Sequence, residues 1–223
     1  MNELGERLRI IASFVPKGKS VCDVGTDHGY LPAALCLSGD CRSVTATDIR
    51  KKPLENASKN LKRLGVKNVE LILCDGLQKV PQEKAQAVVI AGMGGDVISG
   101  IIDRCPYKEK PDFILSPTTG ASTLREYLAE NGFAVEKEVA VSENGKIYSV
   151  MLCRFDGKIR HLSPAEKRIG KLDFQDEAGA AYIKKQLSII EKCIFDLEKS
   201  GKRQDFLSEN IMAKQEILNK KKG

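Results

Sequence analysis

Val21-Cys-Asp-Val-Gly-Thr-Asp-His-Gly-Tyr-Leu-Pro32 decides the fold of this chain. Val21, Cys22 and Val24 read as a buried strand, and Gly25 and Gly29 as a sharp turn that lets backbone approach closely. Tyr30-Leu-Pro-Ala-Ala-Leu35 then opens an apolar helix. Strand, glycine turn and helix N-terminus in this order make a nucleotide-type site. The residue between the glycines narrows the ligand. A dinucleotide fingerprint has glycine where this chain has Asp27, because a carboxylate at a helix N-terminus repels a pyrophosphate. S-adenosylmethionine brings an ammonium and a sulfonium and no phosphate, so Asp23 and Asp27 attract it. Gly25, Thr26 and Asp27 are expected at this cofactor, while His28 suits either ligand contact or helix capping.

Outward from this turn, two periodicities alternate. Glu6 to Val15 carries apolar residues at helical spacing and is expected as a lid helix before the first strand. Strands are expected over Ser20 to Val24, Ser43 to Thr47, Val69 to Leu73, Ala87 to Ala91 and Asp112 to Leu115. Helices are expected from Tyr30, over Pro53 to Leu64, from Gly94-Gly95, and over Ala121 to Asn131. Such alternation predicts an α/β Rossmann-like, doubly wound parallel sheet. Phe133 to Val141 and Lys146 to Arg154 flank Asn144-Gly145, a strong hairpin signal, so the sheet should finish with an antiparallel pair. Parallel strands followed by that hairpin suit the class I methyltransferase fold. Beyond about Ser163, Ile183, Leu187, Ile190, Ile194 and Leu197 form a heptad seam. Ser200-Gly201 breaks it, and Leu207, Ile211 and Leu218 continue on a second helix, giving an antiparallel, coiled-coil-like helical hairpin. The expected division is a methyltransferase domain over 1–160 and a basic hairpin over 161–223.

Each strand end contributes a candidate group. Asp48, with Ile49 beside it, follows the second strand and can accept from both ribose hydroxyls. Asp75-Gly76 follows the third, where Asp75 can accept from the adenine amino group or serve only as a turn residue. Ala91-Gly-Met-Gly-Gly95 ends the fourth; Gly92, Met93 and Gly94 are expected beside the reacting methyl, Ala91 and Gly92 at the cofactor, and Gly95 at the substrate. Pro117 and Thr118 follow the fifth and suit substrate contact or capping of the next helix.

Bulk properties restrict the function. The 223 residues are 42% hydrophobic and 30% charged, as for an ordinary globular protein. No apolar run approaches the ~18 residues of a membrane span, and the start lacks a signal-peptide layout, so a cytoplasmic protein with no membrane partner is expected. Seven cysteines without a C-x-x-C pair and only two histidines, His28 and His161, indicate neither a disulfide framework nor a metal centre. The net charge of +6 is uneven: residues 157–223 hold 15 Lys or Arg against 10 Asp or Glu, leaving 21 against 20 elsewhere. A basic tail suggests a polyanion such as RNA, with Lys184, Lys185, Lys202 and Arg203 as candidate contacts, although a solvated lysine-rich hairpin has the same composition.

Four segments carry a family resemblance: Asp23-Val-Gly-Thr-Asp-His-Gly-Tyr-Leu-Pro32, Ala91-Gly-Met-Gly-Gly95, Leu124-Arg-Glu-Tyr-Leu128 and Glu143-Asn-Gly-Lys-Ile-Tyr148. Together they resemble the bacterial tRNA (adenine-22-N1)-methyltransferases. The resemblance covers nearly the whole chain and implies methyl transfer from S-adenosylmethionine to N1 of an adenine in the tRNA D-arm region. It also implies a C-terminal helical extension. Adenine N1 attacks through an in-plane lone pair and loses no proton, so alignment and negative charge matter more than a strong base. Asp27 is the candidate for that charge, with His28 and Tyr30 at the base. The alternative is a class I methyltransferase acting on another RNA, a small molecule or a protein, its hairpin used for dimerisation; a non-catalytic RNA-binding module would have little use for acids at 23, 48 and 75 together. Monomer or weak dimer is expected.

Overall fold

The computed structural model describes residues 4–201 and 203–221. Seven strands form one sheet in the order β3-β2-β1-β4-β5-β7-β6. The strands are β1 (Ser20–Val24), β2 (Ser43–Asp48), β3 (Val69–Leu73), β4 (Ala87–Ala91), β5 (Asp112–Ser116), β6 (Phe133–Glu143) and β7 (Lys146–Phe155). Pairings from β3 through to β5 are all parallel, while β7 runs antiparallel to both β5 and β6. The crossover helices are α2 (Tyr30–Ser38), α3 (Lys51–Arg63), α4 (Gly95–Asp103) and α5 (Ala121–Glu130), with α1 (Glu6–Phe14) ahead of β1. The central strands β1, β4 and β5 are buried along their whole length, apart from partly exposed Ala91, as parallel strands covered on both faces must be.

One core layer packs Val88, Ile90, Phe113 and Leu115 against Ile98, Ile102, Leu124 and Leu128 of α4 and α5. The opposite layer packs Val21, Val89, Ile114 and Val150 against Ile11, Phe14, Leu31 and Leu35 of α1 and α2. This corrects the lid expectation for Glu6 to Val15. Wholly buried Ile11 holds α1 on the sheet face, and only its first turn reaches the carboxyl edge, where Arg7 Nε stands 3.5 Å from Glu143. The helix expected from Pro53 begins two residues earlier, because a proline in the first turn removes an N–H that has no intrahelical partner anyway.

The C-terminal part holds α6 (Pro164–Ile169), α7 (Glu177–Ser200) and α8 (Gln204–Lys220). Helix α6 was not anticipated, although Ser163-Pro-Ala-Glu166 is a capping box: Ser163 Oγ accepts from Glu166 N, and Glu166 accepts from Ser163 N at 2.8 Å. Helices α7 and α8 form the expected hairpin, turning at left-handed Gly201. Its seam residues Ile183 and Ile190 are buried with Ala213 and Ile217, and the same cluster takes in Ala140 and Ile147 of the β6–β7 hairpin. The helical extension is therefore seated on the sheet. A buried knot reinforces this contact. Arg125 of α5 bonds Glu138 of β6, the carbonyls of Lys167 and Arg168 on α6, and Tyr182 of α7.

Among the described residues no helix is long and apolar enough to cross a membrane. No group of three or more His, Cys, Asp or Glu among them could hold a metal.

Candidate active site

Because β1 to β5 are parallel, their carboxyl ends lie on one edge, and every strand-end candidate comes together there. The turn after β1 is held against β2, since Gly25 N and Thr26 N both donate to Thr47 O, at 2.8 and 3.1 Å. Gly25 has φ +79°, where a side chain is strained, and a Cβ there would meet the flexible end of Met93 at Cε, so the first and fourth loops touch at this position. Asp27 also adopts a positive φ, 47°, which lifts its side chain into solvent. That carboxylate is 64% exposed and stands 3.3 Å from His28 Nε2. His28 is fixed through its carbonyl, which accepts from Asn60 Nδ2 at 3.0 Å, and its ring lies 5.9 Å from Tyr30.

Asp23 and Asp48 are the buried acids of the edge, at 5% and 7% exposure. Burial pushes the Asp23 carboxyl up to about 6; the Thr26 hydroxyl pulls it back and Asp48 pushes it further up. Asp48 Oδ1 accepts from Arg50 N at 2.8 Å, and neighbouring Ile49 is 65% exposed, an apolar surface beside a carboxylate. Asp23 has no cation on it among the described residues, while Asp48 has Arg50 Nε 3.8 Å from its Oδ1, so the pair suits a ligand that brings positive charge to Asp23 and hydroxyls to Asp48. An aminoacyl sulfonium nucleoside has that chemistry. Asp75 is less free than the sequence suggested, because Arg104 Nη2 stands 3.3 Å from its Oδ1. Gly76 offers its carbonyl inward to Thr47 Oγ1 at 3.1 Å.

The loops after β4 and β5 are bonded into one ribbon. Gly92 N donates to Ser116 O, Thr118 N to Met93 O and Gly95 N to Thr119 O, at 3.1, 2.8 and 2.8 Å. A Cβ on Gly95 would collide with the carbonyl of Gly120, so the ribbon also demands glycine there. Pro117 is buried and Thr118 exposed. Beyond the ribbon lies a cleft of about 300 Å³ between the start of α5, the start of β7 and the first half of α7. Lys185 lines it, whereas Lys184 does not. Arg203 stands at the far tip of the hairpin, stacked on Phe206 at 4.6 Å, about 22 Å along α7 from Lys185. Lys202 lies outside the described residues. Of the described candidates, Lys185 and Arg203 therefore do not share one patch. Arg168, Ser149 and Gln186 do line the cleft and were missed, since they belong to three segments joined only by packing of α6 and α7 on the sheet.

Known proteins match this arrangement. The methyltransferase domain family matches residues 4–151. The tRNA (adenine(22)-N(1))-methyltransferase of Bacillus subtilis is 33% identical over 159 residues, 68% of this chain and 66% of that protein. A candidate tRNA methyltransferase of Mycoplasma genitalium is 29% identical over 147 residues, 64% of each chain. The matched part thus spans about two thirds of these relatives' lengths. A Streptococcus pneumoniae candidate tRNA (m1A22) methyltransferase, solved with S-adenosyl-L-methionine, superposes with a TM-score of 0.82 at 30% identity, covering 96% of this chain and 99% of that one. The match to the methyltransferase domain family, the 33% and 30% identities and the near-complete structural coverage make this chain a member of the tRNA (adenine-22-N1)-methyltransferase family of class I methyltransferases.

Proposed function

We propose that this protein transfers a methyl group from S-adenosylmethionine to N1 of an adenine in the D-arm region of tRNA, position 22 by its family. The observation that carries this reading is the pair of buried acids, Asp23 and Asp48, on an edge that continues through the bonded Met93–Thr119 ribbon into a cleft with basic side chains. The cofactor, when bound, supplies an electrophilic methyl. Asp23, with Gly25 and Thr26, receives its ammonium end, Asp48 the ribose hydroxyls and Ile49 the adenine face. Asp75 and Gly76 receive the adenine edge, which requires Asp75 to share its carboxylate between Arg104 and the ligand. Ala91 and Gly92 line the sulfonium end.

Gly92, Met93 and Gly94, with Tyr30 and Gly95, shape the slot for the target base. No residue needs to remove a proton from N1. Asp27 offsets the positive charge that develops on the methylated ring, and His28 orients it. Residues 1–160 act as the catalytic unit and 161–223 as the RNA-facing unit of a cytoplasmic enzyme.

Incubation with an unmodified tRNA transcript and methyl-labelled S-adenosylmethionine, followed by nuclease digestion, tests the reading. N1-methyladenosine at the D-arm position is the expected product. Label on another nucleoside moves the target, and cofactor binding without RNA labelling overturns the tRNA reading.

A further inference from the structure

We infer that the cleft between α5 and α7 is a binding site for an RNA backbone phosphate beside the methylated nucleotide, an inference that rests on the tRNA reading above. Three independent features converge there. Helix α5 starts at Gly120 in a left-handed conformation with no side-chain cap, so the first-turn N–H groups of Ala121 and Ser122, two residues that line the cleft, have no capping side chain. Arg168 and Lys185 form the opposite wall, and none of the residues lining the cleft is acidic. Ser149 also lines it, is only 1% exposed, and carries a hydroxyl without a hydrogen-bond partner. A buried hydroxyl of this kind is unfavourable until an acceptor arrives.

Donors therefore dominate the cleft. A phosphodiester presents only acceptors and a negative charge, whereas a purine edge presents donors and acceptors alternately. The wall is also rigid. Arg168 Nη2 donates to Asn210 Oδ1 at 2.9 Å, and the Arg168 carbonyl accepts from Arg125 Nη1 at 3.1 Å. Lys185 is exposed and has no ion-pair partner among the described residues, so it is available. Because Thr118 and Thr119 bond Met93 and Gly95, a phosphate held here would set the distance from the backbone to the target base. The site would position the substrate rather than merely attract it.

The test uses the full chain and an unmodified tRNA transcript. The Michaelis constant, kcat, and the dependence of kcat/KM on salt are measured for the wild type, Lys185→Ala, Lys185→Arg and Lys67→Ala. Lys67 is exposed just before β3, at the opposite edge of the sheet. Lys185→Ala is expected to raise KM at least about fivefold and to lower the salt slope by about 1, with cofactor affinity unchanged. Lys185→Arg should restore KM, and Lys67→Ala should match the wild type. A Lys185→Ala enzyme with wild-type KM and salt slope, on a tRNA that the wild type methylates, overturns the phosphate site alone. A wild type that neither binds nor methylates tRNA overturns the parent reading and this inference with it.

Discussion

Arg125 donates to a single carboxylate oxygen of Glu138 through both Nε and Nη2, at 3.1 and 2.6 Å, with neither side chain more than 2% exposed. The remaining donors of Arg125 reach two carbonyls of α6 at 2.9 and 3.1 Å and Tyr182 of α7 at 3.3 Å. One guanidinium thus joins the sheet, α5 and the C-terminal helices. Removing either partner leaves a buried charge, so Arg125→Met or Glu138→Leu should each lower stability in urea unfolding by about 3–5 kcal/mol. The double replacement should lose less than the sum of the two singles. Additive losses would mean that the two residues act separately.

The same knot argues against testing the helical extension by truncation. Ending the chain before Ser163 would expose Ala140 and Ile147 and strip Arg125 of its α6 and α7 acceptors. Such a truncated chain should show a lowered melting temperature and aggregate on heating, whether or not RNA is involved. A soluble truncation with the parent's melting temperature would contradict the packing described.

The Asp23 carboxyl gives a pH signature. Its folded pKa of about 6 lies above the 3.8 of an unperturbed aspartate, so the folded state holds the proton more tightly than the unfolded chain. Asp23 therefore destabilises the cofactor-free protein by roughly 3 kcal/mol above pH 6, and this penalty fades as pH falls through 6 toward 4. Asp23→Asn should raise the melting temperature at pH 7 and leave it nearly unchanged near pH 4, while weakening cofactor binding at least tenfold. A variant that melts with the wild type across this range would remove the buried-charge account.

Gly25 and Met93 make a second paired test. Gly25→Ala adds both the strain of a positive φ and a collision with Met93 Cε. The positive φ should cost about 1–2 kcal/mol of stability, with much of the cofactor affinity lost as Met93 is displaced. Met93→Ala in the same background should recover only the collision's share, which calorimetric titration of S-adenosylmethionine would resolve.

Asp27→Asn probes charge with little structural perturbation. Asparagine tolerates the left-handed backbone at φ 47°, and the side chain is 64% exposed. Turnover should fall about 10- to 100-fold, and S-adenosylmethionine affinity should fall with it, since Asp27 is also expected at the cofactor. Unchanged turnover would exclude Asp27 from compensating the cationic product.

The alternating strand and helix patterns, the hairpin at Asn144-Gly145 and the glycine turn at Gly25 were legible in the linear chain because each is local. Hydrophobic period and positive φ are written in neighbouring residues. Asp23, Asp48 and Ala91-Gly-Met-Gly-Gly95 could be assigned to one edge for the same reason, since parallel topology carries every strand end to it. Even the missed helix α6 had its signal in Ser163-Pro-Ala-Glu166. What distant packing alone decides is different in kind. The pairing of Arg125 with Glu138, the attachment of Asp75 to Arg104, and the separation of Arg203 from Lys185 all depend on where α4, α6 and α7 dock. No local period encodes the partner of a buried charge. The cleft of Arg168, Lys185 and Ser149 exists for that reason only in the folded chain, where burial forces remote polar groups to find one another.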